Sequence, residues 1–163
     1  ERDIKEIRDP VNFWKEHSGL EKLPDIIYGG PPCQAFSQAG RQKSTSDHRG
    51  TLIFDFLRII GEMKPKIFIL ENVKNLKGVG GGLLFDEICS EIEEMDYNFE
   101  AYLLNAADFG TTQKRKRIFF FGSLRGSGKI PPPRPTHFEN PTGSEQHHYA
   151  NVGDAFFGLP SPK

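Results

Sequence analysis

The chain has 163 residues, 36% hydrophobic and 26% charged, with a formal net charge of -1, which fits one globular domain around a single core and excludes collagen-like and disordered classes. The near-neutral balance argues against a uniformly basic nucleic-acid coat but leaves room for a local basic patch. Cys33 and Cys89 are too few for a disulfide framework, the five histidines show no metal-ligand spacing, and no apolar run approaches the roughly 20 residues of a membrane span. The expectation is an intracellular protein, cytoplasmic if bacterial and nuclear if eukaryotic, with no metal and no membrane partner.

Taken in order, Glu1 to Asp9 alternates charge with isolated Ile4 and Ile7 and reads as the tail of a strand with a loop after it. Val11 to Leu23, with Trp14 beside Phe13, reads as a short helix or a packed connection. Asp25 to Tyr28 is β-branched and bounded by Pro24 and Gly29, which predicts a strand. That strand stops at Gly29-Gly30-Pro31-Pro32-Cys33, where the glycines permit a sharp turn and the prolines fix φ and remove donors. A turn so built presents the residue after it, Cys33. Ala35 to Arg49 is polar, without apolar periodicity, and reads as a loop.

Thr51 to Met63 is the clearest helix, with Leu52, Phe56, Ile59, Ile60 and Met63 at three- and four-residue spacing and Lys64-Pro65 ending it. Lys66 to Leu70 reads as a buried strand with Glu71-Asn72-Val73 at its carboxyl end, and Gly78 to Gly82 as a flexible turn. A second amphipathic helix, Leu83 to Met95, is carried by Leu84, Ile88, Ile92 and Met95; strands follow near Phe99 to Leu104 and at Arg117 to Gly122. This order predicts an open α/β sheet, and strands that read as solid apolar runs predict a parallel one with helices on both faces. Residues 1–122 form that unit, and residues 123–163 read as an extended connection. In it, Pro131-Pro132-Pro133-Arg134-Pro135 leads to a polar stretch with three histidines and to one last helical turn within Asp154 to Pro160.

Ligands of open α/β sheets bind beyond the carboxyl ends of the strands, where both Cys33 and Glu71 would lie. A free cysteine is commonly a buried structural thiol, but the Gly-Gly-Pro-Pro setting favours a presented nucleophile. Glu71 could cap a loop or handle a proton. The run Gln113-Lys114-Arg115-Lys116-Arg117 could be a solvated charge run. On an extended chain, however, Gln113, Arg115 and Arg117 share one side and suit phosphate oxygens or the carbonyl edge of a base. Thiol, carboxylate and arginine pair together suggest covalent addition to an electron-poor ring.

The chain resembles the cytosine-5 DNA methyltransferases of bacterial restriction-modification systems. The resemblance rests on Pro32-Cys33-Gln34 with Phe36-Ser37, Asp47-His48-Arg49-Gly50-Thr51-Leu52, Glu71-Asn72-Val73, Asn105-Ala106-Ala107-Asp108-Phe109-Gly110 and Gln113-x-Arg115-x-Arg117, all in the family's order. It implies a partial Rossmann-like sheet of the S-adenosylmethionine-dependent methyltransferase kind with its first strands missing. Cys33 would attack carbon 6 of a flipped-out cytosine, Glu71 would contact ring N3 and the exocyclic amine, Arg117 would hold the base carbonyl, and Arg115 would support the Cys33 loop or a phosphate. Asp3, Ile4, Pro32 and Leu52 would contact the cofactor, and Gln34, Ser37 and Gln113 the nucleic acid. The family's glycine-rich first strand-turn and its acidic ribose ligand have no counterpart, and the connection leads toward an absent target recognition domain. The expectation is therefore a catalytic portion that acts on double-stranded DNA and is inactive alone, its missing parts belonging to a longer parent chain or to a complementary polypeptide. The alternatives are a tRNA cytosine-5 methyltransferase and a non-catalytic DNA-binding subunit.

Overall fold

The computed structural model describes residues 2–32 and 52–159. Cys33, Gln34 and Ser37, and the predicted loop from Ala35 to Arg49, lie outside the described residues. A four-stranded sheet in the order β1-β2-β4-β3 is built from β1 (Ile26–Gly29), β2 (Ile67–Val73), β3 (Tyr97–Asn105) and β4 (Lys116–Leu124). The helices are α1 (Pro10–Ser18), α2 (Leu52–Met63), α3 (Leu83–Glu94) and a short α4 (Val152–Phe156).

The α/β architecture expected from the sequence is present, but the sheet is mixed rather than parallel. β1 and β2 run parallel, with α2 in the crossover between them, whereas β4 is antiparallel to both β2 and β3. The cause is the length of the connection from β3 to β4. Parallel neighbours need a crossover of about a dozen residues or more, usually a helix, and residues 106–115 instead form a 3-10 turn (Ala106–Phe109) and a short loop. The chain doubles back, and β4 slots between β2 and β3.

Phe68 and Leu70 on β2 with Ile118 and Phe120 on β4 form the floor of the core. α2 contributes Ile53, Phe56, Leu57 and Ile60, and α3 contributes Leu84, Ile88 and Ile92, so both helices cover this one face. The α3 stripe is as the spacing predicts. The α2 stripe is rotated from the predicted one, since Ile53 and Leu57 are buried while Leu52 and Ile59 are only half-buried. With apolar residues nearly all round α2, periodicity alone defines its buried face poorly. Helices were expected on both faces. Over β2 and β4 the opposite face carries half-buried Ile69, Phe119 and Phe121 beside Glu71 and Arg117, with Pro133 of the connection at its border.

The amino end differs from the strand-tail expectation: Ile4–Glu6 forms a 3-10 turn capped by Asp3, whose Oδ1 accepts from Lys5 N at 3.0 Å. Arg58 of α2 holds the following segment by donating to the Ile7 carbonyl at 2.8 Å. The predicted flexible turn before α3 belongs to the 3-10 segment Lys74–Gly82, kinked at Val79 to Gly81. The polar stretch after Pro135 folds back as two short paired strands, β5 (His137–Phe138) and β6 (His147–His148).

Candidate active site at the carboxyl edge of the sheet

β1 ends at Gly29, and the turn after it runs toward Cys33 along the carboxyl end of β2. Asn72 seats this turn. Asn72, 3% exposed, donates from Nδ2 to the Pro31 carbonyl at 3.0 Å, while its Oδ1 accepts from Val73 N at 2.9 Å. A Cβ on Gly30 would sit 2.9 Å from Glu71 Oε2, so the glycine lets the turn pass this close without displacing the carboxylate from its place.

β2 continues through the glutamate rather than stopping before it, and the register places Glu71 opposite Phe119 and Val73 opposite Arg117. Arg117 is thus the diagonal neighbour of Glu71 on one face of the sheet, within reach of a long side chain. Its Nε lies 2.8 Å from Glu71 Oε1, with the two side chains 22% and 35% exposed. Arg117 holds one carboxylate oxygen, and the other faces the Gly30 turn. The structure therefore brings together Glu71, Arg117 and the turn that leads into Cys33.

Next to this pair, a cleft of about 810 Å³ is bordered by Lys74, Lys114, Arg115, Lys116 and Arg117, with Glu139 as its carboxylate. The expected local basic patch exists although the whole chain is near neutral. The predicted separation of the Gln113 to Arg117 run onto two sides is not what the structure shows: β4 begins only at Lys116, and all five residues line the one cleft. Arg115 and Arg117 also border an apolar hollow of about 450 Å³ formed with Ile69, Leu104, Phe109 and Phe119. Lys114 Nζ donates to Glu139 Oε1 at 2.6 Å, and this bond holds the lysine above its ordinary pKa and the glutamate below its own. Tyr149, also in the cleft wall, donates to Asp108 Oδ1 at 2.5 Å, which pushes the phenol's pKa up.

The residues expected at the cofactor are dispersed among three elements. Asp3 and Ile4 sit in the amino-terminal 3-10 turn, which packs against α2; Leu52 begins α2; Pro32 ends the described part of the turn after β1. The sequence reading assigned no role to Asn72, Glu139 or Tyr149. Asn72 stands beside the candidate acid in the sequence, but its partner Pro31 is 41 positions away and no local signal names it. Tyr149 and Glu139 lie more than 20 residues beyond the arginine run in a stretch without periodicity.

The family model of the C-5 cytosine-specific DNA methylases matches residues 2–156. The Type II methyltransferase M1.ScrFI of Lactococcus lactis subsp. cremoris is 52% identical over 125 residues, covering 72% of this chain and 32% of that protein. Type II methyltransferase M.AquIA of Picosynechococcus sp. is 36% identical over 151 residues, covering 83% of this chain and 60% of that relative. Among solved structures, a prophage-encoded E. coli protein described as a DNA modification methyltransferase superposes with a TM-score of 0.72 at 24% identity, over 99% of this chain and 42% of that one, a likeness of fold. The chain thus spans less than two thirds of the length of each of these proteins. On the extent of the family match, the chain belongs to the C-5 cytosine-specific DNA methylases.

Proposed function

We propose that the chain carries the base-side catalytic apparatus of a DNA (cytosine-5-)-methyltransferase. The observation that carries this reading is the 2.8 Å contact of Arg117 with Glu71, set against Gly30 of the turn that leads into Cys33. Arg117 engages Oε1 and leaves Oε2 turned toward the turn, the side from which a flipped-out base would be met. There Glu71 would hydrogen-bond ring N3 and the exocyclic amine, and Arg117 would hold the base carbonyl.

The Cys33 thiolate would add to carbon 6, forming a carbon–sulfur bond and sending the ring's electron pair to carbon 5 as Glu71 supports the charge at N3. S-adenosylmethionine, the cofactor this reading implies, supplies an electrophilic methyl group when bound. Asp3, Ile4, Pro32 and Leu52 would hold it, and their chemistry fits an adenosyl group: an exposed carboxylate for an amine, and apolar faces on Ile4, Pro32 and Leu52 for a purine. Loss of the carbon 5 proton would then expel the Cys33 thiolate. The basic cleft beside Arg117, with Arg115 and Gln113 in its wall, would receive the phosphates of duplex DNA, with Gln34 and Ser37 also on the nucleic-acid side.

A complementary stretch of polypeptide would complete the enzyme. Among the described residues β1 lies at the edge of the sheet, with Tyr28 82% exposed, and an edge of this kind favours addition of a further strand. The Type II methyltransferase relatives weigh for DNA over the tRNA-directed branch.

The test uses the complete enzyme, S-adenosylmethionine and a duplex carrying 5-fluorocytosine, which blocks release and traps the covalent adduct. Trapping is expected with the wild type and absent with Cys33→Ala; an adduct formed by Cys33→Ala sinks the nucleophile assignment. Methyl transfer to tRNA but not to duplex DNA would replace the DNA reading with the tRNA one. Failure of the completed enzyme to bind S-adenosylmethionine in calorimetry would leave a non-catalytic DNA-binding role.

A further inference from the structure

The proposed reaction uses the arginine strand but gives no role to the polar, histidine-bearing stretch after Pro135. That stretch returns onto the loop just ahead of the arginines. β5 and β6 pair side by side, with Tyr149 N donating to the Phe138 carbonyl at 3.1 Å, and Thr136 N donates to the Asp108 carbonyl at 2.9 Å. Asp108 is the hub of the contact. Its Oδ1 accepts from the Tyr149 hydroxyl at 2.5 Å and from Asn105 Nδ2 at 3.0 Å. Asn105 is the last residue of β3 and lies opposite Lys116, the first of β4.

A second contact bears on the same loop. Lys114 Nζ reaches Glu139 and stands 5.4 Å above the centre of the Tyr149 ring. The Ala106 amide donates to the Arg115 carbonyl at 3.0 Å, closing the base of the loop. An irregular loop between two antiparallel strands has many arrangements open to it unless a separate segment ties it down. Here the tie is a hydroxyl donated to a carboxylate, a charge-assisted bond of the stronger kind, at the point where β3 gives way to the loop that ends at the arginines.

We propose that Tyr149 is a positioning residue of the nucleic-acid cleft, acting through Asp108 and Asn105 to hold the Gln113 to Arg117 run with its cations toward one polyanionic ligand. This rests on the DNA reading above. Tyr149 touches no reacting atom in that scheme. Its effect is on how many of the loop's charges meet phosphates at the same time.

Tyr149→Phe keeps the ring beneath Lys114 and removes only the hydroxyl. The experiment measures binding of a fluorescent DNA duplex to the complete enzyme by anisotropy across a salt series, for the wild type, Tyr149→Phe, Asp108→Ala and the double variant. Hydrogen exchange at the Ala106 amide is followed in parallel. Tyr149→Phe is expected to weaken binding on the order of fivefold. The slope of log affinity against log salt should become shallower by about one phosphate contact. The double variant should be no weaker than the weaker single one, because Asp108→Ala already breaks the bond that Tyr149→Phe removes. Exchange at Ala106 should quicken. A lowered melting temperature with unchanged affinity and slope would mean a merely structural role and would overturn the proposal, as would additive losses in the double variant. If the wild type itself fails to bind duplex, the DNA reading falls. The clamp is then judged by exchange alone: unchanged exchange in Tyr149→Phe overturns it, and faster exchange confined to the 106–115 loop supports it.

Discussion

Asn72 joins the acid-bearing strand to the turn that leads into Cys33. Its side chain is buried, and both ends are used, the amide on Pro31 and the carbonyl on Val73. Replacing it by alanine would strand a carbonyl and an amide that no longer meet a partner, a loss of about 1–3 kcal/mol in chemical denaturation. Asn72→Ala is also expected to lower kcat of the complete enzyme about tenfold or more while leaving KM for DNA nearly unchanged, because the freed turn alters where the thiol sits and not how phosphates are held. A parallel fall in kcat and rise in KM would show that Asn72 acts on DNA binding instead. By contrast, Arg117 and Glu71 are partly open to solvent, so their ion pair contributes little to stability and matters for where the carboxylate points.

At the level of elements, β4 organises the site. Its odd and even positions face different surroundings: Ile118, Phe120 and Gly122 enter the core, while Arg117, Phe119 and Phe121 line the half-open face. The alternation places the arginine on the glutamate's side once the register is set. That register depends on Phe68, whose ring lies over β4. A Cβ on Gly122 would come 1.9 Å from Phe68 Cε1, a distance no real contact reaches. Gly122→Ala must therefore push the Phe68 ring out of a packed core and is expected to cost about 3 kcal/mol in urea unfolding, at the upper end of ordinary overpacking. A change below about 0.5 kcal/mol would mean that the core yields there and that Phe68 does not fix the strand.

Among the described residues the sheet has one face closed under α2 and α3, and its other face is half-open at the site. The closed face makes an alkaline limit. Tyr97 is buried with its hydroxyl on the Pro65 carbonyl, and burial pushes its pKa from 10.0 to about 12. Cys89 is pushed from 9.0 to about 11, by burial first and then by Asp86 and Glu93. In both cases the unfolded chain gives up its proton before the folded one, so stability is complete below pH 9 and falls as the pH rises through the window from 9 to 12. Melting temperatures measured across this window should decline, and Cys89→Ala should flatten the lower part of the decline, between 9 and 11. A constant melting temperature up to pH 12 would rule out both shifts.

The sequence by itself determined most of the sheet strands and the two long helices, and it named Glu71 and Arg117, which the fold brings together. Strand and helix positions followed from local periodicity, and α3 buries the predicted residues Leu84, Ile88, Ile92 and Met95. Glu71 and Arg117 were legible as candidates for one site because a strand end and an arginine run are local signals, and the motif order identified the family to which the chain belongs. The tertiary structure alone decided how these elements meet. The direction of β4 was set by a connection too short for a crossover, and the buried side of α2 by packing against a particular sheet face. The tie from Asn72 to Pro31 and the clamp of Tyr149 on Asp108 each span 41 positions of sequence. No local pattern of spacing or composition encodes a hydrogen bond of that range; it exists only once the sheet has brought its ends together. Glu71 and Arg117 could thus be read from the sequence, and their supports could not.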